Sequence, residues 1–334
     1  MLKIIDKDTR SILSKVDLSP LKNKKVLITG ASGLLGIYFV NCIKKIYKEY
    51  NIDAYFINKN KVEEPLDYFF DFNCNIIEED LTEYDFKELP NFDVIIHAAG
   101  YGQPGKFMHN KIKTIEINST CTLELLKKLK KDGKFLFIST SEMYSGLRDN
   151  VNETMMGSTN TNHPRACYIE SKKCGETLCN VYREYGYDVK SARLSLAYGP
   201  GTRVNDARVL NNFIEKSIKN GRIELMDSGS GIRTYCYITD VIEMMWNILL
   251  YGKSDVYNVG GESVVTIYEL AKIVADNVGV EVILPEVDNS LAGSPAVVNM
   301  DISKYITEFE RPNFVNINDG IGNTIEWQKF IYSL

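Results

Sequence analysis

The stretch Lys25-Val-Leu-Ile-Thr-Gly-Ala-Ser-Gly-Leu-Leu-Gly36 joins an apolar strand pattern to a glycine-rich turn. A helical pattern follows the turn, and a second strand pattern begins near residue 54. Glycines allow a tight turn and let the backbone approach a pyrophosphate at the N-terminus of a helix. The glycine spacing alone is weak evidence, but a strand before it and a helix after it support the interpretation. The stretch therefore predicts a dinucleotide-binding unit.

Strand and helix patterns alternate along the next part of the chain. Further strands are predicted at 54–58, 75–80, 94–98, 135–139 and 189–194, and helices at 31–47, 111–131 and 168–186. Apolar strands without polar alternation, separated by helices, are typical of a parallel sheet buried on both faces. The predicted fold class is therefore α/β, with a doubly wound parallel sheet (Rossmann) and a smaller C-terminal substrate domain.

Shorter elements replace the regular alternation from about residue 195. They include predicted helices at 208–220 and 266–278 and a strand at 223–226. The chain is thus predicted to divide into three parts: an N-terminal helical appendage at 1–23, a dinucleotide-binding domain at 24–194 with 234–262 returning to it, and a substrate-binding domain at 195–233 and 263–334.

Composition excludes several classes of function. The net charge is −5 with both signs scattered, so no basic field for nucleic acid is expected. The run Lys127–Lys131 is interpreted as a solvated helix end. No apolar window reaches the ~18 residues of a membrane span, and the N-terminus lacks a signal peptide. Seven cysteines without CxxC spacing and three scattered histidines favour reduced thiols in the cytoplasm and no metal site.

Tyr168 and Lys172 form the central candidate pair for catalysis. Residues four apart on a helix lie on one face, and a nearby ammonium favours the phenolate, so a lowered tyrosine pKa is expected. Such a pair is a general acid/base for an alcohol or ketone. Thr140, Ser141 and Glu142, at the end of the fifth strand, add hydroxyls and a carboxylate.

The candidate cofactor residues lie at the ends of successive strands. Asn58 and Lys59 stand where an acidic residue would bind the ribose hydroxyls of NAD, so the sequence leans slightly towards NADP while NAD stays open. Asp80 is placed to meet the adenine amine. The full candidate set is Gly30, Ser32, Gly33, Leu34, Leu35, Gly36, Asn58, Lys59, Asp80, Leu81, Ala98, Ala99, Gly100, Asn118, Tyr168 and Lys172.

Four segments carry a resemblance to a known family. With the glycine turn, Thr140, Tyr168 and Lys172 resemble the extended short-chain dehydrogenase/reductases, the NAD-dependent epimerase/dehydratase family. Within it the chain is most similar to UDP-glucuronate decarboxylases. The segments are Phe107–Thr114 with Asn118, Thr140–Tyr144, Pro164–Tyr168 with Lys172, and Asn205–Val209 with Gly229–Arg233.

The resemblance implies a role for each residue of the constellation. Tyr168 would take the C4 hydroxyl proton while hydride moves to the nicotinamide, Lys172 would hold the nicotinamide ribose, and Thr140 would bind the reacting oxygen. Ser141, Glu142 and Arg233 would act at C5 and C6. The resemblance also implies a homodimer and a role in surface-carbohydrate biosynthesis. Further candidate substrate contacts are Lys106, Arg203 and Arg208.

Departures from the family pattern leave alternatives open. Leu196 stands where the family has an asparagine, and Pro295–Asp301 is apolar where the family carries arginines. The leading interpretation is conversion of a sugar nucleotide through a transient 4-keto intermediate, by decarboxylation or by 4,6-dehydration. The alternative is NADPH-dependent reduction of a phosphorylated keto-sugar, a sugar phosphate. An intact triad argues against a non-catalytic binding module.

Overall fold

The strands and helices are placed here by a computed structural model, which describes residues 2–147, 150–285, 297–311 and 313–333. The strands are β1 (Lys25–Thr29), β2 (Asp53–Asn58), β3 (Asn75–Glu78), β4 (Phe92–His97), β5 (Leu129–Thr140), β6 (Asp188–Leu194), β7 (Leu196–Tyr198), β8 (Arg222–Glu224), β9 (Ile232–Tyr237), β10 (Val256–Val259), β11 (Ser263–Thr266), β12 (Glu281–Ile283) and β13 (Val297–Val298). The helices are α1 (Leu2–Leu13), α2 (Leu34–Tyr50), α3 (Pro104–His109), α4 (Lys111–Asn118), α5 (Thr120–Lys127), α6 (Ala166–Glu184), α7 (Val209–Asn220), α8 (Ile238–Tyr251), α9 (Ile267–Val278), α10 (Ser303–Phe309) and α11 (Ile317–Tyr332).

The central sheet has seven parallel strands in the order β10-β6-β5-β4-β1-β2-β3. The strand order reverses between β1 and β4. In an open α/β sheet, ligands bind outside the carboxyl ends of the strands at such a reversal. The predicted doubly wound parallel sheet is confirmed, and the turn after β1 lies at the switch point.

Both faces of this sheet are buried by helices. Side chains alternate across a strand, so Val26 and Ile28 pack into one apolar cluster with α2 and α8, whereas Leu27 packs into another with α5 and α6. All three are fully buried. This two-sided burial explains why the strands read as continuous apolar runs.

The predicted helix at 111–131 is divided in two and extends too far by residues 128–131. It consists of α4 and α5, which meet at Ser119, and α5 ends at Lys127. Leu129 already belongs to β5 and pairs with Phe92 of β4. The run Lys127–Lys131, interpreted as a solvated helix end, therefore leads into the central sheet. The Lys128 ammonium donates to the Leu89 carbonyl at 2.8 Å, and Lys130 pairs with Asp93 at 2.9 Å.

Two small sheets follow β6. Strand β9 is the centre of one, with β11, β13 and β7 as its neighbours, and β12 pairs with β8 in the other. Strand β10 returns to the edge of the main sheet. The domain boundaries stay a prediction. Across the described ranges, no helix is both long and apolar enough to cross a membrane.

The N-terminal helix α1 is built into the core through Asp8. Its buried carboxylate accepts hydrogen bonds from the Tyr38 hydroxyl of α2 at 3.0 Å and the Tyr237 hydroxyl of β9 at 2.9 Å. Burial raises the pKa of Asp8 to about 6 despite these two bonds, with a small contribution from Asp240. The folded protein therefore binds a proton at Asp8 more tightly than the unfolded chain does.

We expect Asp8→Asn to remove a pH dependence of folding. Because the folded pKa is raised, the stabilisation is complete below the unfolded pKa near 4 and is lost as pH rises through about 6. A shift of this size corresponds to at most about 3 kcal/mol. In urea unfolding, the free energy of unfolding of the wild type should be lower at about pH 8 than at about pH 5, and this difference should be smaller in the variant. An equal difference in the two proteins would contradict the role of Asp8.

Candidate active site

The turn after β1 has no room for side chains at Gly30 and Gly36. Gly30 has φ +67°, and a Cβ there would lie 2.7 Å from the carbonyl oxygen of Ala98. A Cβ at Gly36 would lie 2.3 Å from the carbonyl oxygen of Gly30. The N-cap residue of α2, Gly33, offers no side-chain cap, so the first-turn N–H groups at Leu34 and Leu35 suit a pyrophosphate. The turn fits a dinucleotide.

The residues at the end of β2 and beyond β3 are bound to other protein groups. Asn58 is buried, and its Oδ1 accepts the backbone N–H of Ser32 at 2.7 Å, so Asn58 braces the glycine turn. Asp80 Oδ2 lies 2.9 Å from the Lys59 ammonium and 2.6 Å from the Lys113 ammonium. These bonds hold the pKa of Asp80 well below its usual value, against the effect of burial. The charge of Lys59 is therefore already compensated.

The remaining cofactor candidates lie near the end of β4 and on the helices beside it. The Ala99 N–H donates to the Thr29 hydroxyl at 3.2 Å. Asn118 donates to Ser171 at 3.0 Å, and its buried Oδ1 has no hydrogen-bond partner among the described residues. That oxygen and the Lys172 ammonium each lie 3.9 Å from where a Cβ on Gly100 would be. By contrast, the side chain of Leu81 is buried in the core.

A short 3-10 turn, Ser141–Tyr144, follows β5 and positions its polar residues. The Thr140 hydroxyl accepts the N–H of Glu142 at 3.2 Å, which caps this turn. Thr140 is buried, whereas Ser141 and Glu142 are half-buried. The turn therefore presents two hydroxyls and one carboxylate beside the end of the sheet.

Tyr168 and Lys172 lie one turn apart on α6, and both are buried. Burial raises the pKa of Tyr168 to about 12, as does the Glu142 carboxylate, while a hydrogen bond with Thr140 lowers it. Burial lowers the pKa of Lys172 to about 7, and its ammonium donates to the Ile138 carbonyl at 2.6 Å. The predicted arrangement of Thr140, Tyr168 and Lys172 is present. The pKa of Tyr168 is raised rather than lowered as expected, because the loss of solvation on burial outweighs the effects that lower it.

Arg165 and Phe107 belong to the same site. The sequence places both in segments that resemble the family but assigns neither of them a role. Arg165 donates from Nε to Glu142 Oε2 at 2.9 Å and from Nη2 to Oε1. Its guanidinium carbon lies 5.3 Å from the centroid of the Phe107 ring, which stacks on Tyr168 at 4.6 Å and 4°. The available signal was spacing, since Arg165 lies three residues before Tyr168, about one helical turn.

The four basic candidates for substrate binding have different surroundings. Arg233 on β9 donates to the Ile232 carbonyl at 2.7 Å, and its pKa is lowered by burial and by Arg165 nearby. Arg208 is paired with Asp206, and Arg203 donates to the Ser32 carbonyl at 3.3 Å, beside the glycine turn. Lys106 is exposed on α3. Arg233 is thus the candidate whose electrostatic interaction with Arg165 ties it to the Arg165 and Glu142 pair.

The family departures are close to Arg233. Leu196 of β7 is half-buried and pairs with Tyr235 of β9. In β13, Val298 is the backbone partner of Arg233. The preceding part of the apolar segment, Pro295 and Ala296, lies outside the described residues.

Comparisons with known proteins agree with this geometry. Residues 26–260 match the model of the NAD dependent epimerase/dehydratase family. UDP-glucuronic acid decarboxylase 6 of Arabidopsis thaliana is 30% identical over 299 residues, which cover 86% of this chain and 85% of that protein. UDP-glucuronic acid decarboxylase 1 of Danio rerio is 30% identical over 318 residues, covering 93% of this chain and 74% of that protein.

Solved structures share the same fold. UDP-glucuronic acid 4-epimerase from Bacillus cereus, in complex with UDP-glucuronic acid and NAD, has a TM-score of 0.78 at 24% identity, covering 92% of this chain and all of that one. The dTDP-glucose 4,6-dehydratase DesIV from Streptomyces venezuelae has a TM-score of 0.78 at 21% identity, covering 92% of this chain and 98% of that one. The predicted fold, the family resemblance and the enzyme class are confirmed.

Proposed function

We propose that this chain, which belongs to the NAD dependent epimerase/dehydratase family, decarboxylates a nucleotide-linked uronic acid such as UDP-glucuronate. The observation that carries the proposal is the meeting of Tyr168, Thr140 and Lys172 with two guanidinium groups and one carboxylate. The named decarboxylases among its relatives support the same reaction class.

Charge is the argument for a substrate that carries a carboxylate. Arg165 is paired with Glu142, whereas Arg233 has no ion pair with a carboxylate among the described residues. A half-buried guanidinium without a carboxylate partner is stabilised by an anion. The carboxylate at C6 of a uronic acid would supply that anion next to C4 and C5.

The proposed reaction is neutral in its overall redox balance. When bound, NAD would supply the hydride acceptor for C4, and the same hydride would reduce C4 again at the end of the reaction. Tyr168 takes the proton of the C4 hydroxyl, Thr140 holds that oxygen, and Lys172 stabilises the phenolate. The product of this step is a 4-keto sugar whose C6 carboxylate is β to the ketone, so CO₂ is lost as the C5–C6 bond breaks. Arg233 holds the carboxylate until it leaves, the electron pair of the broken bond forms an enolate with the C4 ketone, and a proton from solvent adds to C5 beside Glu142.

The nicotinamide cofactor is proposed to be NAD. The slight preference for NADP in the sequence comes from the missing carboxylate at Asn58 and the lysine beside it. The Lys59 ammonium, however, pairs with Asp80 at 2.9 Å and lies 3.2 Å from the Tyr101 hydroxyl. A 2′-phosphate would have to compete with Asp80 for that cation. Titrations with NAD and NADP test this point, and tighter binding of NADP would contradict it.

A homodimer through α4, α5 and α6 is also proposed. Several apolar side chains on or next to these helices are exposed: Ile112, Ile115, Val181 and Tyr185. Exposed apolar surface of this kind is typical of a subunit interface. Light scattering during size-exclusion chromatography measures the mass, and a monomer at all concentrations would exclude the dimer.

The test of the reaction is product analysis with UDP-glucuronate and NAD. We expect release of CO₂ and formation of a UDP-pentose, with no net change in reduced nicotinamide. Loss of water from a nucleotide-linked hexose would instead indicate a dehydratase. Net oxidation of NADPH with a ketose phosphate, and no reaction with sugar nucleotides, would overturn the proposal in favour of the reductase alternative.

A further inference from the structure

We propose that Arg165 is a positioning residue that holds Glu142 and Tyr168 in one fixed unit. The roles of those two residues in turnover rest on the proposed function, but their geometry does not. Arg165 is the last residue before α6, and Tyr168 lies in its first turn. The Arg165 side chain thus links the turn after β5 to the start of the helix that carries the acid/base pair.

The first contact fixes the Glu142 carboxylate. Arg165 Nε donates to Oε2 at 2.9 Å and Nη2 donates to Oε1. Both side chains are about one-fifth exposed, at 22% and 23%. A planar guanidinium that binds both oxygens sets the direction of the carboxylate plane, which an ammonium cannot do.

The second contact reaches Tyr168 through Phe107. The Arg165 guanidinium lies over the Phe107 ring at 5.3 Å, a cation–π distance. Phe107 is buried on α3, and its ring is nearly parallel to that of Tyr168. A parallel stack limits rotation of the phenol ring. Arg165 therefore stabilises the position of the Phe107 ring, and that ring in turn fixes the orientation of the Tyr168 phenol.

Arg165 also compensates the charge of Glu142 next to the Tyr168 phenol. Glu142 raises the pKa of Tyr168 and Arg165 lowers it, while burial is the largest effect. The charged groups that act on Tyr168 are Glu142 and Arg165, while Arg165 and Asp227 act on the neighbouring Arg233. Without Arg165, the Glu142 carboxylate would act on the phenol uncompensated and would be free to rotate.

The kinetic test compares Arg165→Gln with Arg165→Lys. We expect kcat on UDP-glucuronate to fall about 100-fold in R165Q, since a misplacement of about 1 Å can have that effect. R165K keeps the charge without the planar fork, so a loss of about 10-fold is expected. Because Arg165 contacts protein groups, KM should change by less than about 3-fold. Arg183→Gln, on the far end of α6, is the matched control.

The second measurement needs no substrate. Tyrosines labelled with ¹³C at Cζ report the ionisation of Tyr168, whose signal is assigned by its loss in Tyr168→Phe. The pKa should fall in Glu142→Gln and rise in R165Q, each by at least about half a unit, and stay unchanged in R183Q. If R165Q does not fold, the fall in Glu142→Gln carries the test, and R165K, which keeps the charge, should leave the pKa of Tyr168 close to the wild-type value. Opposite shifts support the positioning role of Arg165 even if UDP-glucuronate is not converted, and that failure would refute only the proposed function. Shifts of the same sign, or a wild-type kcat in R165Q, would overturn the positioning role of Arg165.

Discussion

Replacing Tyr168 with phenylalanine is expected to abolish turnover of UDP-glucuronate, with kcat at least about 1000-fold lower than in the wild type. The change removes one hydroxyl, which bonds to Thr140 in the buried centre of the site. The phenol oxygen is the group that must take the C4 proton as hydride leaves C4, and it can do so only as the phenolate. Because burial raises the pKa of this phenol to about 12, Tyr168 must first lose its own proton, and the Lys172 cation favours that loss.

The fold should tolerate this substitution. The ring of Tyr168 stacks on Phe107 through its face, and phenylalanine keeps that contact. NAD should therefore still raise the melting temperature of Tyr168→Phe. Tyr182→Phe is the matched control and should keep full activity, because this ring lies about four turns further along α6 and packs against Tyr187. An unchanged rate in Tyr168→Phe would refute the assignment of this site.

Local patterns were sufficient to predict the sheet and the turn after β1. The apolar runs at Val26–Ile28 and in the later strands carry the signal of burial on both faces, and glycines at 30, 33 and 36 mark the turn. The spacing of Tyr168 and Lys172 likewise placed both on one helical face. These features are set within a few residues of chain, which explains why the sequence alone could indicate them.

Contacts between distant segments were not accessible in the same way. Asn58 was interpreted as a ribose contact, but its oxygen is taken up by Ser32, 26 residues away. Lys59 alone suggests a phosphate site. Its pairing with Asp80 is not visible in the sequence, because that contact depends on how β2 and β3 lie side by side. The predicted helix at 111–131 ran too far because pairing of Leu129 with Phe92 overrides its local preference. The sequence assigns no role to Arg165, because its contact with Glu142 joins residues 23 apart in the chain.

The acid/base pair differs from its prediction through burial, which a sequence does not specify. An exposed lysine beside a tyrosine would lower the phenol pKa. In this site both groups are buried, so the neutral form of each is favoured: the pKa of Tyr168 rises to about 12 and that of Lys172 falls to about 7. Glu176, one turn beyond Lys172, opposes the fall and is itself paired with Arg193 at 2.9 Å. The lysine charge is thus sensitive to pH in the neutral range.

Substituting Lys172 with methionine should lower kcat about 1000-fold, because the phenolate formed at Tyr168 loses the cation that stabilises it. Methionine has similar length and fits the apolar part of the pocket against Phe137. Lys173→Met is the matched control: this neighbouring ammonium pairs with Glu170 at 2.9 Å and donates to the Gly157 carbonyl at 3.0 Å. It should keep close to wild-type activity.

The pH profile separates a charge effect of Lys172 from a packing effect. Its pKa is lowered to about 7, so the ammonium is lost as pH rises through that value. Wild-type kcat should therefore decline on the alkaline side of neutrality, and the same decline should persist in Lys173→Met. In Lys172→Met the residual rate should show no such decline, since no proton remains to be lost there. A variant that keeps the alkaline decline, or more than about a tenth of wild-type kcat, would show that another group supplies the charge.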